Sequence, residues 1–185
     1  MRFGQTLTSH TLYSIVVPAP DSHQPGAGGC AVTISSKVRF MSFLHSDDEI
    51  GYVARRFIDR SLPRSDWTHA AHFAVALWLL KRRGVDAMRE MSLLIRAYNE
   101  ATGVANTVTS GYHETITIAS LRATHSWLHD RPGVAEYLIL NEMLGTPVGR
   151  SDWLFKYWSK AVLFSPTARS GWVEPDLEPL PYCAI

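Results

Sequence analysis

Cysteine is scarce in this sequence. The two that occur, Cys30 and Cys183, stand near opposite ends of the 185 residues. They make neither a disulfide framework nor a thiolate metal site, and they imply a reducing compartment or indifference to redox state. Excess charge is lacking too, since 18 Lys and Arg against 17 Asp and Glu leave a net charge of +1. That balance omits the basic stripe of a nucleic-acid binder or of a protein held to an anionic membrane, which excludes both partners. Long apolar runs are missing from the helical part, because the charge-free apolar run between Trp67 and Leu80 falls short of the roughly 20 residues of a membrane span. A cytoplasmic location is the resulting expectation. Also absent are Glu-x-x-His, His-Glu-x-x-His, Gly-x-Ser-x-Gly, a P-loop and the dinucleotide glycine fingerprint.

Charge is almost missing from residues 1–40, which hold only Arg2, Asp21, Lys37 and Arg39. The same segment carries Pro18, Pro20, Pro25, Gly26, Gly28 and Gly29, which exclude a long helix. Polar residues interrupt its apolar stretch, so a secretory signal fits badly. The expectation is a poorly ordered N-terminal extension over 1–40 and a helical domain over 41–185, with Met41 as an alternative start.

What is there is a folding chain. The hydrophobic fraction is 46% with six Trp, too apolar for disorder. A single domain of this length buries roughly 70% of its unfolded surface. Ser46-Asp47-Asp48-Glu49 reads as a capping box, and Ile50, Val53, Phe57 and Ile58 follow at helical spacing up to Pro63. No proline then occurs between Arg64 and Arg131. That window predicts three helices: about Ser65 to Arg83 with Ser65 or Asp66 as cap, Asp86 to about Ala101, and about Gly111 to Leu128 with Thr109 or Ser110 as cap. The first of these is apolar on every side and therefore central. A fourth begins near Pro132 and ends at Gly145, and a fifth starts at Ser151. Four prolines after Ser165 predict an extended arm wrapping the helices. The fold class expected is all-α: a single up-and-down bundle of five to six helices with an extended C-terminal arm.

Three of the eight histidines carry the functional argument. His69 and His72 stand at i and i+3 on one helix face, with two alanines between them. His113 falls in the first turn of the predicted third helix. Short connections make consecutive helices antiparallel, so these histidines gather at one pole with Tyr98, Asn99, Glu100, Asn106, Asn141 and Glu142. Burial and the positive helix ends favour neutral imidazole, the form that ligates metal or accepts a proton. Three imidazoles suit a divalent metal, Zn(II) or Fe(II), with open positions for water or substrate. Glu114, about 100° around the helix from His113, suits an orienting carboxylate or a general base. Tyr98 and Asn106 suit substrate orientation, and Thr117, Ser120 and Thr124 form a polar stripe able to line a small-molecule cavity. His125 and His129 are a second pair, expected to face solvent. Ser165 and Arg169 read as ordinary packing of the C-terminal arm.

Trp67-Thr68-His69-Ala70-Ala71-His72, Tyr98-Asn99-Glu100 and Gly111-Tyr112-His113-Glu114-Thr115 together resemble a recurring bacterial family of uncharacterised proteins, over about Asp66 to Pro181. The resemblance implies that these motifs belong together and brings no catalytic role with it.

Three readings stand at this level. The first is a small helical metalloenzyme, a hydrolase or oxygenase, acting on a small organic molecule through His69, His72 and His113. The second is a metal-free module binding a small-molecule ligand at the same pole. The third is a structural protein, a homodimer joined through exposed Trp153, Trp158 and Trp172.

Overall fold

Ser46 opens the first helix by the route its sequence indicates. Its hydroxyl accepts the Glu49 amide at 3.2 Å, and the Glu49 carboxylate accepts the His45 amide at 2.7 Å. One helix-end N–H group is thus satisfied by the Ser46 side chain, and Glu49 reaches back one residue beyond the cap. The computed structural model describes residues 44–185, which fall within one compact unit; the expected extension over 1–40 and the start at Met41 lie outside the described residues.

Seven helices follow in order: α1 (Asp47–Ile58), α2 (His69–Arg83), α3 (Ala87–Ala101), α4 (Glu114–His129), α5 (Glu136–Leu144), α6 (Lys160–Leu163) and α7 (Pro166–Ser170). Short 3-10 turns occupy Arg64–Asp66, Gly84–Asp86, Pro147–Gly149 and Trp153–Lys156. No strand occurs among the described residues, so the domain is all-α.

α2 is central, with α1, α3, α4 and α5 all packed on it. Lacking charge over two thirds of its length, it buries both sides. Ala71, Val75 and Leu79 join Val53, Phe57, Met91, Ile95 and Tyr98 in one apolar cluster. Phe73, Ala74 and Leu77 join Ala119, Ile139, Leu140, Met143, Trp153 and Trp158 in another. Each fully buried Leu or Phe contributes about 1.5–3 kcal/mol. Glu136, buried at the start of α5, is held by Arg82 at 3.0 Å and Lys81 at 3.3 Å. Those two cations sit in the last turn of α2, where the helix dipole favours them.

Four expected boundaries differ. α5 begins at Glu136 and not near Pro132, because Gly133 at φ 78° and the Val134 amide on Arg131 O first close a turn. α2 begins at His69 with Thr68 as its cap, the Thr68 hydroxyl accepting the Ala71 amide at 3.2 Å. Ser65 and Asp66 lie instead in a 3-10 turn. α4 begins at Glu114 and not near Gly111, because the Thr107 hydroxyl draws the amides of Thr109 and Ser110 into a turn of their own. The single helix expected from Ser151 is a 3-10 turn followed by α6 and α7, restarted by the caps Ser159 and Ser165. The tryptophans expected to be exposed are mostly core: Trp158 is 0% and Trp153 6% exposed, and Trp172 is half-buried with its ring 5.6 Å from that of Trp158.

The segment after α7 is irregular and tied down. Gly171 O accepts the Thr115 hydroxyl at 2.8 Å, Val173 O accepts the Trp158 indole N–H at 3.2 Å, and the Leu177 amide donates to Tyr157 O at 3.0 Å.

Candidate functional site

His113 is the N-cap of α4. Its Nδ1 accepts the Ile116 amide at 3.4 Å, and its backbone is extended, as a capping residue's is. The opposite nitrogen, Nε2, lies 2.8 Å from Leu163 O. A carbonyl only accepts, so Nε2 carries the proton and Nδ1 carries the lone pair that caps the helix. Both ring nitrogens of this buried, neutral imidazole are thereby engaged. Its pKa is lowered to about 4, first by burial and further by the Arg169 guanidinium, against the opposing pull of the Leu163 carbonyl. Arg169 donates to Gly111 O and Tyr112 O at 3.2 and 3.0 Å, which clamps α7 over the entry to α4.

His69 and His72 are engaged differently. His69 is the first residue of α2, and its Nε2–H donates to Val148 O at 2.9 Å. His72 Nδ1–H donates to Thr68 O at 2.8 Å, and its ring lies over Trp67 with centroids 3.7 Å apart. Trp67 in turn stacks on Phe57 at 4.0 Å and neighbours Tyr98 at 5.4 Å. That last contact sets the start of α2 beside the end of α3, as an antiparallel pair requires. Burial lowers the pKa of His69, opposed by its bond to Val148. Burial also takes His72 down to about 4, opposed by the Thr68 carbonyl and aided by the neighbouring His69. Each of these two rings uses one nitrogen as a donor, leaving His69 Nδ1 and His72 Nε2 as lone-pair nitrogens.

The remaining predicted residues serve the chain itself. The Tyr98 hydroxyl, buried, donates to Leu62 O at 2.9 Å. Asn106 organises the loop between α3 and α4: it accepts from Asn99 Nδ2 at 2.9 Å and from the Tyr112 amide at 3.1 Å, and donates to Arg96 O at 3.0 Å. Thr117 donates to His113 O and Thr124 to Ser120 O, so these two hydroxyls of the polar stripe on α4 are spent on its own helix carbonyls, with Ser120 half-buried between them. Glu114 opens α4 beside the hydroxyl of Tyr112. Asn141 bridges Leu44 N and O at 3.2 and 2.6 Å, and Glu142 pairs with Arg131 at 2.9 Å. Among the described residues, no group of three or more His, Cys, Asp or Glu side chains is gathered as a metal site requires.

Sequence reasoning missed two features here. One is the capping role of His113, for which a histidine offers no habitual signal. The other is Tyr112, which is 3% exposed. Its hydroxyl meets no partner in hydrogen-bonding geometry, although Ser92, Glu114 and Thr117 are its polar neighbours, and burial pushes its pKa up to about 12. Arg96 lies over its ring at 4.2 Å.

Compared with protein-family models, with curated proteins and with solved structures, the chain matches none. Among the described residues no helix is long and apolar enough to cross a membrane.

Proposed function

We propose that this chain is a helical protein of the structural or interaction class, in which the buried histidines act as neutral hydrogen-bonding pins and hold no metal. The observation that carries this reading is His113, whose two ring nitrogens cap α4 and hold Leu163 O. An imidazole so engaged has no lone pair left for a metal or for taking a proton from substrate. The internal use of Tyr98, Asn106, Thr117 and Thr124 supports the same reading. A cytoplasmic location accords with it.

A second reading, a Zn or Fe protein, keeps support from His69 and His72. Each holds an N–H on a backbone carbonyl, the arrangement that orients metal-binding histidines, and each retains a lone-pair nitrogen.

Metal analysis after supplementation with Zn(II) or anaerobic Fe(II) and exhaustive dialysis separates them, applied to wild type, His72→Ala and His113→Ala. The proposal expects no metal whose retention depends on His72 or His113, so that all three retain the same amount, and a lowered unfolding midpoint for His113→Ala. Metal lost in His72→Ala but kept in His113→Ala establishes the second reading. Loss in both establishes a three-histidine centre and overturns the proposal.

A further inference from the structure

α4 carries two more histidines at its C-terminal end. His125 and His129 stand four residues apart, so they share one face a turn apart. Their ring centroids are 6.3 Å apart and the ring planes incline by 31°. His125 is half-buried, and the His129 side chain is 78% exposed. His129 Nδ1 lies 3.3 Å from Asp130 Oδ1. A carboxylate only accepts, so this contact places a proton on Nδ1, and in the neutral imidazole the lone pair is then on Nε2. Metal-binding histidines are oriented by carboxylates in this way. The carbonyl end of α4 and the Asp130 charge both favour a cation there. The adjacent cation, Arg131, is engaged elsewhere: its guanidinium lies over the Trp127 ring at 4.0 Å and pairs with Glu142 at 2.9 Å.

The geometry points to a divalent transition-metal site at the C-terminal end of α4, with His125 and His129 as its protein ligands, Asp130 orienting His129, and water completing the coordination. Imidazole pairs select Zn(II), Ni(II) and Cu(II) over the oxygen-seeking Mg(II) and Ca(II). With ligand bonds of about 2.0–2.1 Å, two imidazoles on a tetrahedral ion have ring centroids about 5 Å apart. Closing the gap takes about 1 Å, which rotation of the exposed His129 side chain supplies. The site shares no residue with His69, His72 and His113, and it stands or falls apart from the functional reading above.

Calorimetric titration of the full chain with ZnCl2, and separately with CuCl2, tests it. One site per chain is expected, tighter for Cu(II) than for Zn(II). Affinity is expected to fall at least tenfold in His125→Ala and in His129→Ala, to fall about tenfold in Asp130→Asn, and to hold in His72→Ala. His129→Ala removes an exposed side chain, so it keeps the test decisive even if His125→Ala folds poorly. Wild type that takes up neither ion at millimolar concentration overturns the proposal, as does binding that survives unchanged in His129→Ala.

Discussion

The two ends of α4 put the same side chain to opposite uses. At the start, His113 is buried, and its two nitrogens bind the Ile116 amide and the Leu163 carbonyl. At the end, His129 is exposed, with one nitrogen beside Asp130 and its ring next to that of His125. The glycines flanking the helix differ in parallel. Gly111 and Gly133 both have positive φ, at 75° and 78°. A Cβ on Gly111 would fall 2.6 Å from Ala105 O, whereas one on Gly133 would meet nothing within 4 Å. A histidine becomes structure when burial removes water and the backbone supplies every partner; left half-solvated, it keeps a nitrogen for a ligand.

The largest break in this comparison comes from acid. His72 and His113 have folded pKa values of about 4 against an ordinary 6.5, so between those values the unfolded chain binds more protons than the folded one. The stability these groups contribute is therefore complete above pH 6.5 and lost as pH falls towards 4. His72 accounts for about 3 kcal/mol and His113, discounted for solvent screening, for about 2 kcal/mol, on the order of 5 kcal/mol together, which rivals the whole stability of a small domain. Urea unfolding at steps from pH 7 to pH 4 measures it, and a pH-independent midpoint over that range contradicts it.

Gly111→Ala should come next, at about 3 kcal/mol or more, because a backbone oxygen must move as well as the strained φ be held. Gly133→Ala has only the φ to bear, about 1 kcal/mol. Equal losses in denaturant midpoints would erase the contrast between the two loops. His113→Ala removes a cap and strands a carbonyl, for about 2–4 kcal/mol. His113→Asn keeps a capping acceptor and should recover about 1 kcal/mol of that. The smallest effect is at the far end, where His129→Ala should change stability by no more than about 0.5 kcal/mol.

Much of this fold was legible in the residues. The Ser46–Glu49 box, the charge-free middle of α2 and the glycine after it mark local events, governed by neighbours within a turn. The start of α4 was not legible, because Thr109 and Ser110 are the better capping types by habit, and only the turn made by Thr107 removes them from that role. The stretch from Trp153 to Trp158 has helical apolar spacing, yet Ser159 and the Ser165-Pro166 pair restart the chain twice. The candidate site divides in the same way. The i, i+3 spacing placed His69 and His72 on the first turn of a buried helix. The distant partners of His69 and His113 were hidden, since the Val148 and Leu163 carbonyls arrive from 79 and 50 residues away, whereas His72 binds Thr68 O within its own turn.

The central claim concerns the state of one imidazole, and long-range proton–nitrogen NMR of the histidine side chains reads it directly. His113 should appear as the neutral Nε2–H tautomer from pH 7 down to about pH 5, and stoichiometric Zn(II) should leave its Nδ1 signal in place. A His113 that titrates near pH 6.5, or whose Nδ1 signal moves together with those of His69 and His72 on adding Zn(II), would contradict the account.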